Sequence, residues 1–363
     1  MTSGPHVTID LSALRHNLTV IRAQAPASQV MAIIKANGYG HGMLRVARAL
    51  AEADMLGVAR VGEAAALRAE GDMRDIVVLE GAQTLDELLL AAELDLSLVV
   101  HHASQLDLLG DIELARPLAC WLKLDTGMHR LGFSPEDFDS AWRRLDAASA
   151  ARAAPGLMTH FCCADNPDSM LTHHQIRQFR ESTDGLPGPR SLANSGGIFG
   201  WPDAHADIVR PGIALYGVSP FEGETGATRG LRPVMTLKAP LIAIDQRRAG
   251  DAIGYGGSWH CPEDMLVGVI GIGYGDGYPR HLPNGAPVRL NGVEVPLIGR
   301  VSMDMISVDL RDAPHAAVGD EAILWGEGLP VERVAEQAGS IAYELMCGVT
   351  SRVAARVSED EED

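Results

Sequence analysis

The residues best equipped to do chemistry in this chain begin with one lysine. Met31 to Gly42 reads MAIIKANGYGHG. Met31 to Ile34 is a short apolar run that predicts a buried strand with Lys35 at its end. Gly38, Gly40 and Gly42 follow, which predicts a flexible turn directly after the lysine. A lysine at the end of a buried strand loses hydration. That loss lowers its amine pKa and exposes a nucleophile. Such an amine can form a Schiff base with an aldehyde such as pyridoxal phosphate. Taken alone, Lys35 also reads as a surface residue snorkelling past a strand end, and fold context has to decide. Other candidates stand at the ends of other predicted strands. They are Lys123 and Asp125 before Thr126-Gly127-Met128, His160 after Leu157-Met158-Thr159, Asn194-Ser195 after Ser191-Leu192-Ala193, and Arg210 after Asp207-Ile208-Val209.

The elements that must position these residues alternate. Val7 to Asp10 predicts a strand, and Asp10 or Ser12 can cap a helix over Ala13 to Gln24 that Pro26 stops. After Lys35, strands are predicted over Leu56 to Ala59, Ile76 to Leu79, Leu96 to Val100, Leu118 to Leu124, Gly156 to Thr159, Ser191 to Ala193 and Asp207 to Val209. Helices lie between most of them: Met43 to Ala51, Gly62 to Glu70, Thr84 to Ala92, Ala103 to Leu109, Pro135 to Ala148 and Leu171 to Glu181. Eight β-α units in succession predict a parallel (β/α)8 barrel, whose C-terminal rim is where barrel enzymes build their sites. From Met235 to Val357 the text turns strand-like, with turn signals such as Asn291-Gly292. The expected division is a barrel over residues 1–230 and a mainly-β domain over 231–363, joined by the polar connector Gly223 to Arg232. Residues 358–363 end in five carboxylates and predict a disordered acidic tail.

Composition bounds the functional classes. The chain has 363 residues, ample for two domains. With 30 basic against 48 acidic residues, its net charge of −18 argues against nucleic acid or an anionic membrane as partner. Cys120, Cys162, Cys163, Cys261 and Cys347 are odd in number and irregularly spaced, which predicts reduced, buried thiols in a cytoplasmic protein. No metal-ligand spacing appears, so no metal site is expected. No signal peptide pattern opens the chain, and no apolar run reaches the roughly 18 residues of a membrane span.

AIIKANGYGHG resembles the cofactor-lysine signature of the alanine racemase family, with Gly38 where many members carry Ala. LDTGMHRLGF, THF, ANS, RPGIALYG, GYGGSW, GYGDGYPR and VSMDMISVD follow in the family's order and spacing, so the likeness runs from about residue 7 to 357. The resemblance implies pyridoxal 5'-phosphate on Lys35, with Lys35 and Tyr255 as bases on opposite faces of the substrate. One base cannot easily serve both faces of a planar centre. Lys35 and Tyr255 fall in different predicted domains. The family solves this with a head-to-tail homodimer in which the Tyr255 domain of one subunit covers the barrel mouth of the other.

Further roles follow from the same resemblance. Arg210 matches the partner of the pyridine nitrogen, and a guanidinium keeps its proton where an aspartate would share one. Ser195, Gly212 and Ile213 match the phosphate cradle, although Ser195 also reads as a helix N-cap. Tyr39 matches a phosphate tyrosine. A second phosphate tyrosine is common in the family, and Ser351 stands in its place. His160 matches the residue beside the cofactor ring. Arg130 matches the arginine on the substrate carboxylate, and Lys123 the lysine often carbamylated there. His129 replaces the glycine common in DTGMGR. Met303 and Asp304 match partner-chain residues at the substrate carboxylate, and Tyr274 and Tyr343 an entrance gate.

The implied function is racemisation of L-alanine and D-alanine in the cytoplasm, supplying D-alanine for peptidoglycan. The closest rival is a broad-specificity racemase acting on other small amino acids such as serine. A basic-amino-acid decarboxylase of related fold would want an acidic residue where Arg210 stands. A barrel-only protein that merely carries pyridoxal phosphate would lack the long β domain.

Overall fold

The computed structural model describes residues 4–358. The acidic residues 359–363 lie outside the described residues, and Ser358, assigned from the sequence to the tail, ends a strand. Eight parallel strands make the barrel. They are β2 (Gln29–Ile33), β3 (Met55–Val58), β4 (Asp75–Val78), β5 (Ser97–Val100), β6 (Ala119–Lys123), β7 (Gly156–Met158), β8 (Arg190–Ser191) and β9 (Ile208–Val209). Their order follows the chain, and β9 pairs with β2. The last seam closes by a parallel bridge between Asn194 and Arg210. The barrel strands are short and apolar because both faces are covered: every residue of β5 is buried.

The strand β1 (His6–Asp10) corrects the sequence reading. It pairs antiparallel with β10 (Met235–Arg247) and parallel with β18 (Ala354–Ser358), so it belongs to the second sheet and not to the barrel segment. A single isolated strand at a chain start carries no sign of its pairing partner. Asp10 caps the helix Leu11–Gln24 by accepting from the Ala13 N–H at 2.9 Å. Asn17, fully buried on that helix, fixes the joint between domains. Its Nδ2 donates to the Leu215 and Arg232 carbonyls, and its Oδ1 accepts from the Arg232 N–H.

The rest of the second sheet is antiparallel. β13 (Met265–Ile270), β14 (Pro287–Leu290), β15 (Val293–Ile298), β16 (Ile306–Asp309) and β17 (Glu321–Trp325) join the 13-residue β10. β10 pairs with β17 at one end and β13 at the other, so these six strands close on themselves. Asn291 and Gly292 make the expected tight hairpin turn with positive φ at both residues. A hairpin of β11 (Ala252–Ile253) and β12 (Trp259–His260) projects from this domain and carries Tyr255 at its tip. It sits on a small separate core of Ile253, Cys261, Met265, Val267 and Ile298.

Of the cysteines, only Cys120 and Cys261 are buried. Cys162 and Cys163 are partly open, and Cys347 is exposed at the end of the helix Ala342–Cys347, against the expectation of five buried thiols. No helix among the described residues is long and apolar enough to cross a membrane.

Candidate active site

Lys35 leaves β2 and opens an unusual turn. Ala36, Asn37, Gly38 and Tyr39 have φ of 53°, 54°, 61° and 52°. This is a single left-handed turn, packed and hydrogen-bonded, where the glycines had suggested a flexible one. Left-handed backbone costs an L-residue roughly 1–2 kcal/mol, so the surroundings must fix it. The Gly38 N–H donates to the Ile34 carbonyl at 2.8 Å and the Gly40 N–H to the Ala36 carbonyl at 3.1 Å. Asn37 Oδ1 accepts from the Met43 N–H at 3.0 Å, and Glu63 Oε1 from the Ala36 N–H at 2.9 Å. The turn carries the Tyr39 ring inward, where it stacks on Tyr216 at 4.6 Å. A Cβ at position 212 would lie 2.5 Å from Tyr39 Oη, so only glycine fits opposite that hydroxyl.

A cavity of about 970 Å³ opens at the C-terminal rim of the barrel. Lys35, Tyr39, Lys123, Arg130, His160, Ser195, Arg210, Gly212, Ile213 and Tyr343 all line it. Five strands therefore deliver their end residues to one place, as the spacing predicts. Tyr343 comes from the β-domain segment of the same chain and faces Tyr39 at 5.9 Å between ring centroids.

Arg210 is buried, and its partners are all neutral. Nη1 donates to Ser191 Oγ at 2.7 Å, and Nη2 to the Thr159 and Leu192 carbonyls at 2.6 and 3.2 Å. Nη2 also lies 3.5 Å from His160 Nδ1. No carboxylate pairs with it among the described residues. Burial lowers its pKa to about 10, still far above neutrality. The other cations of the cavity repel one another. Burial, then Arg210, Arg130 and Lys35, bring Lys123 down to about 8. Burial and then Arg130 lower the Lys35 amine, against the pull of Glu80 and Glu63. His160 is pushed well below the ordinary imidazole range by burial and then by Arg210. Within the cavity, Lys35, Lys123, Arg130 and Arg210 thus form one cationic cluster, which suits a ligand carrying anionic groups.

Ser195 is not the helix cap. Asn194 takes that place, its Oδ1 accepting from the Gly197 N–H at 3.0 Å. Ser195 Oγ instead accepts from the Gly212 and Ala214 N–H groups at 3.0 and 3.3 Å. Ile213 opens the short turn Ile213–Tyr216, and its N–H has no partner within that turn. A hydroxyl, an orphan N–H and the Tyr39 hydroxyl at a glycine fit a phosphate. A desolvated amine and a guanidinium with only neutral partners fit an aldehyde and a pyridine nitrogen. The donor set therefore fits pyridoxal phosphate.

His129 sits at φ 55°, which is the conformation glycine favours at this point of the motif. Its exposed ring faces Asp125 at 3.7 Å and does not line the cavity. Asp125 Oδ1 accepts from the N–H groups of Gly127, Met128 and His129, and so shapes the loop that carries Arg130.

Sequence reasoning missed the polar support beneath the rim. Gln175, fully buried on the helix Met170–Thr183, donates to Thr126 Oγ1 and to the His160 carbonyl and accepts from the Cys162 N–H. The Thr126 and Thr159 hydroxyls pair at 2.7 Å. The available signal was a glutamine lying in the buried stripe Thr172, Ile176, Phe179.

The remaining predicted residues form a second group elsewhere on the chain. Tyr255 is 68% exposed and does not line the cavity of Lys35. Its loop packs against Arg300. Met303 and Tyr274 are 51% and 39% exposed. The Tyr274 and Gly275 N–H groups donate to the Ser302 and Met303 carbonyls. Arg352, next to Ser351, joins Asp304 at 2.6 Å and Asp276 at 3.3 Å.

Comparison with known proteins bears on both groups. Residues 9–220 match the family model of the alanine racemase N-terminal domain, and residues 234–357 that of the C-terminal domain. The chain belongs to the alanine racemase family. An alanine racemase of Shewanella baltica is 51% identical over 98% of this chain and 99% of that protein. One from Coxiella burnetii is 51% identical over 95% and 96%. The crystal structure of the biosynthetic alanine racemase from Pseudomonas aeruginosa superimposes with a TM-score of 0.96 at 43% identity, covering 98% of this chain and all of that one. Alanine racemase from Acinetobacter baumannii gives 0.93 at 36% identity, covering 98% and 100%.

Proposed function

We propose that this chain is a pyridoxal-phosphate-dependent alanine racemase. It works as a homodimer with two shared sites in the cytoplasm, interconverting L-alanine and D-alanine and supplying the D-enantiomer for peptidoglycan. The observation that carries the reading is the rim cavity, where a desolvated lysine, an anion cradle and an arginine with no carboxylate partner meet. The chain divides near residue 230 into a cofactor-binding part and a part that delivers the second base.

When bound, the cofactor withdraws electrons and so acidifies the substrate α-C–H. The chain's residues do the rest. Lys35 Nζ would hold the cofactor and, as a free amine, would move a proton on its own face of the substrate. Tyr39, Ser195 and the Gly212-Ile213 backbone hold the phosphate. Arg210 would hold the ring nitrogen and keeps its own proton, which would moderate electron withdrawal and favour return of the proton to the same carbon. His160, which lines the same cavity, would pack beside the ring. Arg130 holds the substrate carboxylate, and Lys123, which at a pKa of about 8 presents more free amine than an ordinary lysine, is suited to carbamylation and would then steady Arg130 as an anion. Tyr255 of the partner subunit serves the opposite face. Met303 and Asp304 of the partner subunit line the carboxylate end, and Tyr274 and Tyr343 narrow the entrance to a small side chain.

A panel of L-amino acids, assayed for D-product with added pyridoxal phosphate, tests this reading. Alanine should dominate. No D-alanine would overturn it, and comparable turnover of serine would turn it into the broad-specificity alternative.

A further inference from the structure

We propose that Glu63 is a positioning residue for the Lys35 amine, acting as the clamp that holds the left-handed turn after Lys35. The proposal rests on the reading of Lys35 as the cofactor-bearing residue.

Glu63 is the third residue of the helix Val61–Ala69. Its Oε2 accepts from the Ala59 and Arg60 N–H groups at 2.7 and 3.2 Å. That is ordinary work for a carboxylate at a helix start. Its Oε1 does something else. It reaches a different strand end and accepts from the Ala36 N–H at 2.9 Å. Ala36 is the first left-handed residue, and its N–H belongs to the peptide that follows Lys35 directly. Opening a turn, this N–H has no partner inside it. The Glu63 carboxylate is therefore the acceptor that fixes the Lys35–Ala36 peptide in an orientation an alanine otherwise avoids. A charged acceptor holds more strongly than a neutral one.

The same carboxylate contributes charge. Lys35 is faced by Arg130 from the β6 loop, Lys123 from β6 and His160 from the β7 loop, all cationic or potentially so. Glu80 after β4 and Glu63 are the carboxylates on the other side, and the Cys347 thiol faces it from the helix Ala342–Cys347. Glu63 thus both aims the amine and offsets part of the cationic field around it.

Two variants separate these actions in the cofactor-loaded protein. Glu63→Gln removes the charge and turns one acceptor into a donor. Glu63→Asp keeps the charge but is too short to span both partners. Both should speed hydrogen exchange at the Ala36 amide at least tenfold, weaken pyridoxal phosphate binding about tenfold and lower kcat more than they raise KM, the range expected for losing a charged hydrogen bond. Only Glu63→Gln should move the limb of the pH profile that reports Lys35, and it should move it to lower pH. Adding Ala36→Gly should restore much of the cofactor affinity of either variant, because glycine accepts positive φ without strain. Wild-type exchange at Ala36 and wild-type cofactor affinity in Glu63→Asp would overturn the proposal, whether or not Glu63→Gln folds. Failure of the wild-type protein to bind pyridoxal phosphate would instead count against the reading of Lys35, and the exchange at Ala36 would still decide the clamp.

Discussion

The barrel rim and the Tyr255 face of the β domain are built on opposite plans. The rim is enclosed, and polar groups brace its functional side chains: Arg210 by four neighbours, the Lys35 turn by Glu63 and Asn37. The β-domain face is open. Tyr255, Tyr274, Met303 and Met305 are exposed there, supported by their own loops but covered by nothing among the described residues. Exposed apolar and aromatic side chains gathered on one face mark an interaction surface. The rim carries the candidate acid–base group for one side of a planar centre, Lys35, and the open face carries the candidate for the other, Tyr255. On the proposed reading, these are two half-sites that do not meet within one chain.

The largest expected effect comes from emptying the rim. Lys35→Ala should abolish racemisation and the visible absorbance of the bound cofactor. Borohydride reduction that still fixes the cofactor to another lysine would contradict this. Tyr255→Phe should cost about 10²–10⁴-fold in both directions while leaving cofactor binding intact. Its signature is asymmetry: solvent deuterium should still exchange at the α-carbon of one enantiomer, through Lys35, and not of the other. Equal exchange from both would break the division of labour between rim and open face. Arg210→Gln should slow racemisation about tenfold or more and raise pyruvate formation, since ring-nitrogen protonation is no longer opposed by a fixed cation. Unchanged rates without added pyruvate would reject its role.

A smaller effect should appear in stability, and one barrel-side histidine contributes to it. His41, buried behind the Lys35 turn with its ring tilted against Tyr216, is pushed from 6.5 down to about 4 by burial. Below pH 6.5 the unfolded chain binds a proton that folded His41 refuses. Stability is therefore full above about 6.5 and declines as pH falls toward 4, by about 3 kcal/mol for this one group. His160 acts in the same direction. Denaturant midpoints from pH 7 to 4 should slope less in His41→Gln. An identical slope would remove His41 from the account.

Much of this was legible in the sequence, for reasons particular residues make plain. The barrel strands announce themselves as apolar runs because both their faces are buried, and the candidate residues that line the cavity sit where the runs stop, at Lys35, Lys123 and Arg210. β1 was misassigned because its parallel partner β18 lies over 340 residues away and no local pattern encodes that pairing. The left-handed turn was hidden as well, since Ala36, Asn37 and Tyr39 ordinarily avoid that conformation and only Glu63 and Asn37 reveal what holds it. Ser195 was open to two readings until Asn194 was seen to take the cap. Support residues such as Gln175 and Glu63 act through backbone contacts, which leave little mark on composition or spacing.

The central claim is that each site takes Lys35 from one chain and Tyr255 from another. The direct test is to mix Lys35→Ala with Tyr255→Phe subunits, each inactive alone, and assay mixed dimers isolated by different tags on the two variants. One of the two sites in such a dimer keeps both wild-type residues and the other has neither. Isolated mixed dimers should therefore recover about half of wild-type activity, or about a quarter in an unsorted statistical mixture, as a twofold assembly requires. Mixed dimers that form and stay inactive would contradict the shared site.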